Sequence, residues 1–388
     1  MFSSKNRKYF VPALVFTALA LFFLATVFLS APARAQKRKH LPPPPAPPRY
    51  QPKPTPTPLP TPEPEYEVIK VSSNLVVVPV SVTNTQSQPV LGLKQTDFRI
   101  EEDSRPQEIA QLGDPEQVPL DIALLIDVSS SVTERFGFEL EAATRFLKQV
   151  LRPMDHATLY AIDRAPRLEQ ARSSADVATA RLMTIKAATV PTPTAFYDTV
   201  IEAVRYLNKN SPEQSRRVIV VISDGEDNFS NGIRDSSTAA YQATQADAND
   251  TSAAAKTRVI RAYETALLQA HRTVQAEMQL EVQKANAVFY SINPGGEALK
   301  LNAISTRAQN AMQQLANSTG GTAFVPPQIA DLDAVFGRII SELRAQYLIQ
   351  YYSDNKNTAS GFRRIAITIP AQPHLRVRAR EGYYPKAK

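Results

Sequence analysis

The sequence predicts an α/β protein: a doubly wound, mostly parallel sheet with an accessory all-β domain formed by the flanking N- and C-terminal strands. Three observations predict it. Short apolar runs alternate with amphipathic stretches from about 119 to 342, the pattern of a parallel sheet with helices on both faces. Segments rich in β-branched residues, with polar and apolar positions alternating, lie on either side of that region, as half-buried strands require. Ahead of them runs a proline-dense stretch that supports neither helix nor sheet ladder.

At the N-terminus, Lys5, Arg7 and Lys8 precede the apolar run FVPALVFTALALFFLATVFLS, and APARAQ follows. Ala33 and Ala35 make an A-x-A pattern, so cleavage before Gln36 and export are expected. The run is roughly 20 residues, long enough also to stay as an N-terminal anchor. Either outcome puts the body outside the cytoplasm, secreted, periplasmic or anchored, with membrane contact only through a retained leader. Residues 1–35 are thus a signal peptide or anchor, and 36–65 a proline-rich linker. In polyproline II form, LPPPPAPPRYQPKPTPTPLPTPEPEY reaches roughly 70 Å.

The 388-residue chain carries a net charge of +7. That excess sits in residues 1–64, where Lys5, Arg7, Lys8, Arg34, Lys37, Arg38, Lys39, Arg49 and Lys53 face Glu63 alone. The remainder is nearly neutral and shows no basic stripe, so no nucleic-acid partner is expected. With no cysteine in the chain, disulfides, thiolate catalysis and Cys-ligated zinc are excluded.

Residues 66–116 form an N-terminal β segment. EVIKVSSNLVVVPVSVTN and PVLGLKQTDFRIEEDSRPQEIAQLG carry about four short strands between turn signals. So short a segment has a marginal core alone. QYLIQYYSD, FRRIAITIP and HLRVRAREGYY, within 343–388, are expected to complete it as one β domain.

Within 119–342, LDIALLID, ATLYAID, RRVIVVIS, NAVFYSI and TAFVP read as strands, and RLEQA as a short edge strand. ERFGFELEAATRFLKQVL, ADVATARLMTIKAA, FYDTVIEAVRYLNKN, 298–317 and 329–345 read as helices. Such sheets bind ligands beyond the carboxyl ends of their strands, where strand order reverses. Asp127 ends one apolar strand, with Ser129 and Ser131 following in DVSSSV, and Asp224 follows another in VISDGEDN. Thr194 precedes a helix in VPTPTAFYDT. These residues suit a hard divalent cation that prefers oxygen ligands. They equally suit turns and helix caps, with a serine as N-cap and the aspartates as turn formers.

The arrangement resembles a von Willebrand factor type A (VWFA) domain. D-x-S-x-S at 127–131, Thr194 and Asp224 match that family's metal-ion-dependent adhesion site, or MIDAS. The flanks, NLVVVPVSVTNTQSQPVLGLKQTDFRIEEDSRPQEIAQL and QYLIQYYSDNKNTASGFRRIAITI, resemble a bacterial branch of exported VWFA-related proteins. The resemblance implies a Rossmann-like VWA domain holding Mg²⁺ or Mn²⁺ through Asp127, Ser129, Ser131, Thr194 and Asp224, with Asp127 acting through water and Asp224 set back from the ion. Neutral hydroxyls leave such an ion positive, so a carboxylate from a protein ligand completes its shell. The chain departs from the family pattern at Ser130, where glycine is usual, and at Thr192-Pro193-Thr194, which replaces a glycine-rich approach and makes Thr192 an alternative ligand.

Asp198 is placed to orient the Thr194 loop. Glu226 and Asp227 read as loop structure or rim charge, and Asp163 as a solvated turn acid. Residues 235–285 are longer than the one helix usual there. Val259, Tyr263, Leu267, His271, Val274 and Met278 give a narrow apolar stripe, fit either for a helix lying along the domain or for a projecting hairpin. The histidines, His40, His156, His271 and His374, form no H-E-x-x-H pair, and there is no G-x-S-x-G elbow. The expectation is an exported, metal-dependent adhesion module rather than an enzyme. Its rival is a structural envelope interaction protein of the same fold that uses no metal. The family resemblance also implies that the helix at 329–345 couples the site to the β domain.

Overall fold

A computed structural model describes residues 75–246, 252–295, 303–355 and 361–385. The expected leader and linker lie outside these residues, as does the side chain of Ser131. Among the described residues no helix is long and apolar enough to cross a membrane.

The chain enters through β1 (Leu75–Thr83), β2 (Arg99–Glu102), β3 (Arg105–Gln107) and β4 (Ile109–Gly113). The central region runs β5 (Leu120–Asp127), α1 (Phe136–Val150), β6 (His156–Ile162), β7 (Arg167–Ser173), α2 (Ala175–Leu182), α3 (Phe196–Asn210) and β8 (Arg216–Ile222). It continues through α4 (Asn231–Ala246), α5 (Ala253–Lys284), β9 (Val288–Ile292), α6 (Ala303–Thr319), β10 (Ala323–Phe324) and α7 (Leu332–Arg344). The chain closes with β11 (Tyr347–Tyr352), β12 (Arg363–Thr368), β13 (Arg376–Arg378) and β14 (Gly382–Tyr383).

The central sheet has the order β10-β9-β8-β5-β6-β7. Every pairing in it is parallel except the β6–β7 edge. From β5 the chain first builds outward through β6 and β7, then returns to place β8 on the other side of β5. The order therefore reverses between β5 and β8, where a crevice opens. All eight residues of β5 are buried, because helices cover both faces. Leu120, Ile122, Leu124 and Ile126 pack with α1 and α7, while Ala123 and Leu125 pack with α3 and α5.

The expected all-β domain is present. Its sheets, β13-β1-β11-β4 and β14-β12-β2-β3, each mix strands from the two ends of the chain. Val78 pairs with Ile349 and Ile100 with Ile367. The two sheets share one apolar core that includes Val80, Ile100, Ile349 and Ile365, which neither flank builds alone.

Glu102 stands inside this core. Its Oε1 accepts from Ser353 Oγ at 2.7 Å and Arg363 Nη1 at 3.2 Å, and its Oε2 from Tyr351 Oη at 2.8 Å and Tyr383 Oη at 3.0 Å. One carboxylate thereby joins β2, β11, β12 and β14.

The β domain is tied to the central domain by arginines. Arg378 pairs with Glu342 at 2.7 Å, and Arg380 Nη1 donates to Asn286 Oδ1. Gly320, at φ +84°, lets the Ala379 backbone approach to where a Cβ would lie 2.8 Å from it. Only glycine combines that space with a left-handed backbone. α7 packs on α1 through Phe336 and Phe146, with ring centroids 4.7 Å apart, and through an Arg145–Asp333 pair at 3.0 Å. It then runs almost directly into β11.

Two expectations are adjusted. The helix in ADVATARLMTIKAA stops at Leu182. Beyond it the chain turns, and the Ala188 amide bonds the Val128 carbonyl at 2.7 Å, drawing this segment toward the end of β5. The insertion is a hairpin of α4 and α5. α5 has 32 residues, about 48 Å at 1.5 Å per residue. Its second half buries His271, Val274, Met278 and Val282 against the domain. Its first half leaves Ile260 and Tyr263 exposed. The second half of the stripe thus serves packing along the domain.

Removing the Glu102 carboxylate leaves Arg363 and three hydroxyls buried without it. Glu102→Ala is expected to lower the free energy of unfolding by about 3–5 kcal/mol, read from urea denaturation.

Candidate metal centre

The site begins where β5 and β8 end side by side, Ile126 opposite Ile222. Asp127, the last residue of β5, is 2% exposed. Its Oδ1 accepts from the Ser129 amide at 2.9 Å, and the Ser129 hydroxyl also bonds this carboxylate. Its Oδ2 accepts from Ser223 Oγ at 2.9 Å. Ser223 follows β8, so this bond crosses the switch point.

Ser129 then leads into a short 3-10 turn, Ser130–Val132, without capping it through its side chain. The N-cap of α1 is Arg135. The capping alternative for Ser129 therefore does not hold: its hydroxyl is turned to Asp127. Ser130 has no positive φ, so serine in place of the family's usual glycine brings no backbone strain there.

On the β8 side, Ser223 Oγ accepts from the Gly225 amide at 3.0 Å and Asp224 Oδ1 from the Glu226 amide at 3.0 Å. Gly225 has φ +77°, and a Cβ on it would sit 2.8 Å from Met312 Sδ, so the turn that exposes Asp224 depends on glycine. Glu226 accepts from Ser305 Oγ at 2.5 Å. Asp227 is 4% exposed and accepts from the amides of Tyr197 at 2.8 Å, Ser230 at 2.9 Å and Phe229 at 3.1 Å, and from the Ser230 hydroxyl. It is a structural hub of the loop rather than rim charge.

These bonds also hold Thr194. Its amide donates to Asn228 Oδ1 at 2.8 Å, and its carbonyl accepts from the Asn228 and Phe229 amides, both at 3.1 Å. The Thr192-Pro193-Thr194 segment is strapped to the Asp224 loop by its backbone, and the Thr194 side chain is buried beside it. Thr192 is half-buried in the same extended segment. Asp198 holds the start of α4 rather than the Thr194 loop: its Oδ2 accepts from the Asn231 amide at 2.9 Å, and its amide donates to Ser230 Oγ at 3.0 Å. Asp163 turns away to Arg167 at 3.0 Å. The structure thus joins Asp127, Ser129 and Asp224 at one rim, with the backbone of Thr194 fixed next to them.

Burial raises the Asp127 carboxyl above the usual range, bonds from Ser129 and Ser223 counter this, and the charge of Asp224 adds to the rise. Glu139 was not anticipated. It is 0% exposed on the first turn of α1, and its Oε1 accepts from Arg135 Nε at 2.8 Å. Its Oε2 has no partner among the described residues. Burial pushes its carboxyl up to about 7 against the pull of Arg135, with Asp127 and Asp224 adding to the rise. The signal was present in ERFGFELEAATRFL: Glu139 sits on the apolar face of that helix, beside Phe136 and Leu140.

A six-stranded sheet with one antiparallel edge, with D-x-S-x-S leaving its central strand at the switch point, is the arrangement that the resemblance to a von Willebrand factor type A domain implies. No protein-family model and no curated protein matches the chain. Among solved structures, proximal thread matrix protein 1 from the mussel byssus is 11% identical, with a TM-score of 0.38, over 61% of this chain and 49% of its own. The chain thus spans about half the length of that protein, which is also known with a zinc-occupied MIDAS motif. An aerotolerance-related membrane protein from Bacteroides fragilis is 15% identical, with a TM-score of 0.34, over 58% of this chain and 98% of its own. BatB from Bacteroides thetaiotaomicron is 15% identical, with a TM-score of 0.34, over 57% and 97%.

Asp227→Ala leaves several buried donors unpaired at the VWA loop, and a loss on the order of 3 kcal/mol is expected in urea unfolding, with faster hydrogen exchange at Tyr197, Phe229 and Ser230. A second expectation concerns pH. Glu139 titrates near 7 when folded, against 4.5 for an ordinary glutamate. Its contribution to stability is therefore full below about 4.5 and is lost as pH rises through about 7. In chelator, Glu139→Gln should flatten the fall in stability between about pH 5 and 8, measured by thermal melts across that range.

Proposed function

We propose that this protein is an exported binding module whose VWA domain holds a divalent cation, Mg²⁺ or Mn²⁺, and uses it to engage a carboxylate on a partner protein. Asp127, Ser129, Ser131, Thr194 and Asp224 are the residues proposed to hold the ion. The observation that carries the reading is that Asp127 bonds Ser223, the residue before Asp224, across the switch point, with the Ser129 hydroxyl already turned to the Asp127 carboxylate. A carboxylate raised by burial and by the charge of a second acid, with hydroxyls beside it, fits a hard cation better than an empty turn. A bound ion would supply a positive centre able to take an external oxygen ligand.

The chain's own residues set what that centre can do. The serine and threonine hydroxyls are neutral, so they add ligands without cancelling charge. The bonds from Ser129 and Ser223 hold the Asp127 carboxylate in one orientation. The Asp227 hub and the Asn228 strap fix the Thr194 backbone against the Asp224 loop. The site is read as binding rather than catalytic.

One observation favours the rival reading, a structural interaction protein of the same fold without metal. Both Asp127 oxygens already have donors within the chain. Calorimetric titration with Mg²⁺, Mn²⁺ and Zn²⁺ separates the two. The metal reading expects saturable binding that Asp127→Ala abolishes. Heat absent in the wild type, or unchanged in Asp127→Ala while the variant remains folded, would favour the metal-free module. Capture of partner protein that is lost in chelator and restored by Mg²⁺ is the expected sign of metal-bridged adhesion.

A further inference from the structure

His271 is a titratable group set into the apolar stripe of α5. It is 5% exposed, between the exposed first half of that helix and the buried Val274, Met278 and Val282. Its Nδ1 lies 3.2 Å from the Tyr197 hydroxyl, and the two rings meet edge to face with centroids 5.8 Å apart. Gln275, one turn further along α5, donates from Nε2 to the same hydroxyl at 2.9 Å. With Gln275 donating to Tyr197 Oη, the phenol proton is left for His271. That proton has an acceptor only while Nδ1 is bare, which requires a neutral imidazole.

Tyr197 carries this contact to the rim. It stands on the first turn of α3, and its amide donates to Asp227 Oδ2 at 2.8 Å. One residue therefore holds the Asp227 hub with its backbone and α5 with its side chain. Asp227 also accepts from the Ser230 amide at 2.9 Å, and α4 starts at the next residue, Asn231. The insertion is fastened to the rim loop at its root and again through the second half of α5.

Acid would put a second proton on His271, and no carboxylate bonds it among the described residues. α6 presents Arg307, a charge of the same sign. α3 presents Tyr197, and its Arg205 is taken by Glu277 and Glu281 of α5. On α4, Arg234 and Asp235 are exposed and paired with each other at 3.6 Å. β14 brings Tyr383, which is bonded to Glu102. Asp227 is spent on donors of its own loop. Burial first, and Arg307 second, bring the imidazole down to about 4 from 6.5. A group lowered in this way supports the fold above its ordinary value and withdraws that support as pH falls toward the lower one.

We propose that Tyr197, Gln275 and His271 form an acid-sensitive latch between the insertion and the rim loop. With the imidazole neutral, α5 stays seated on α3 and Tyr197 keeps the Asp227 loop in place. Protonation removes the acceptor of the phenol proton and buries a charge beside Arg307, so the second half of α5 lifts and the loop loosens with it. The latch does not depend on whether the site takes a metal.

The test is hydrogen exchange of the full chain and of His271→Gln in steps from about pH 7 to pH 5. Rates are corrected for the intrinsic effect of pH and referred to α1. In the wild type, protection over 271–284 and at the amides of Tyr197, Phe229 and Ser230 is expected to fall on the order of tenfold. In His271→Gln, which cannot titrate, it is expected to stay level. Wild-type protection that does not fall, or an equal fall in the variant, overturns the latch. Protection lost in α5 but kept at Tyr197, Phe229 and Ser230 overturns the link to the loop. If His271→Gln does not fold by circular dichroism, the imidazole resonance of His271 in the wild type decides. Titration in step with the loss of protection supports the latch, and titration without that loss overturns it.

Discussion

The parallel pairing of β5 with β8 is the constraint on which the rest of the site depends. Both strands are buried on both faces, so each stays apolar until it leaves the sheet. The polar residues that end them, Asp127 and Ser223, emerge at the same level because Ile126 lies opposite Ile222. The hydrogen bond between them closes the crevice floor. Everything above it is fastened to that floor: Ala188 to Val128, Ala195 to Asp163, and Thr194 to the loop that carries Asp224.

Two buried glutamates show how the same side chain takes opposite roles. Glu102 in the β domain has four donors, two of them on each oxygen. It is a finished structural joint, and it links strands from both ends of the chain. Glu139 in the central domain has one partner and one bare oxygen. A finished network rigidifies, whereas an unfinished one is either a cost to the fold or an invitation to a ligand.

The β domain is held to the central domain. Arg378 and Arg380 bridge the two, and α7 passes from its seat on α1 almost without interruption into β11. α1 itself starts just after the D-x-S-x-S loop. A continuous packed route thus runs from Asp127 through α1 and α7 to the strand that pairs with β1. Its members meet through stacked rings and a bidentate ion pair rather than through loose loops.

The order of strands and helices was legible in the sequence, because burial on one or two faces writes its period directly into the chain. The same periodicity placed Asp127 and Asp224 at strand ends. Local patterns could not tell which strands from the two flanks would pair, since that pairing depends on a core neither flank builds alone. Nor could they show that the Ser129 hydroxyl would turn to Asp127 instead of capping a helix, or that Asp227 would collect four donors. Glu139 was visible only as a charge on an apolar helix face. Sequence alone determined the fold and the acids at its switch point, through short-range periodicity. Tertiary structure decided their partners, because hydrogen bonds and charge interactions act between residues that the fold brings together from distant parts of the chain.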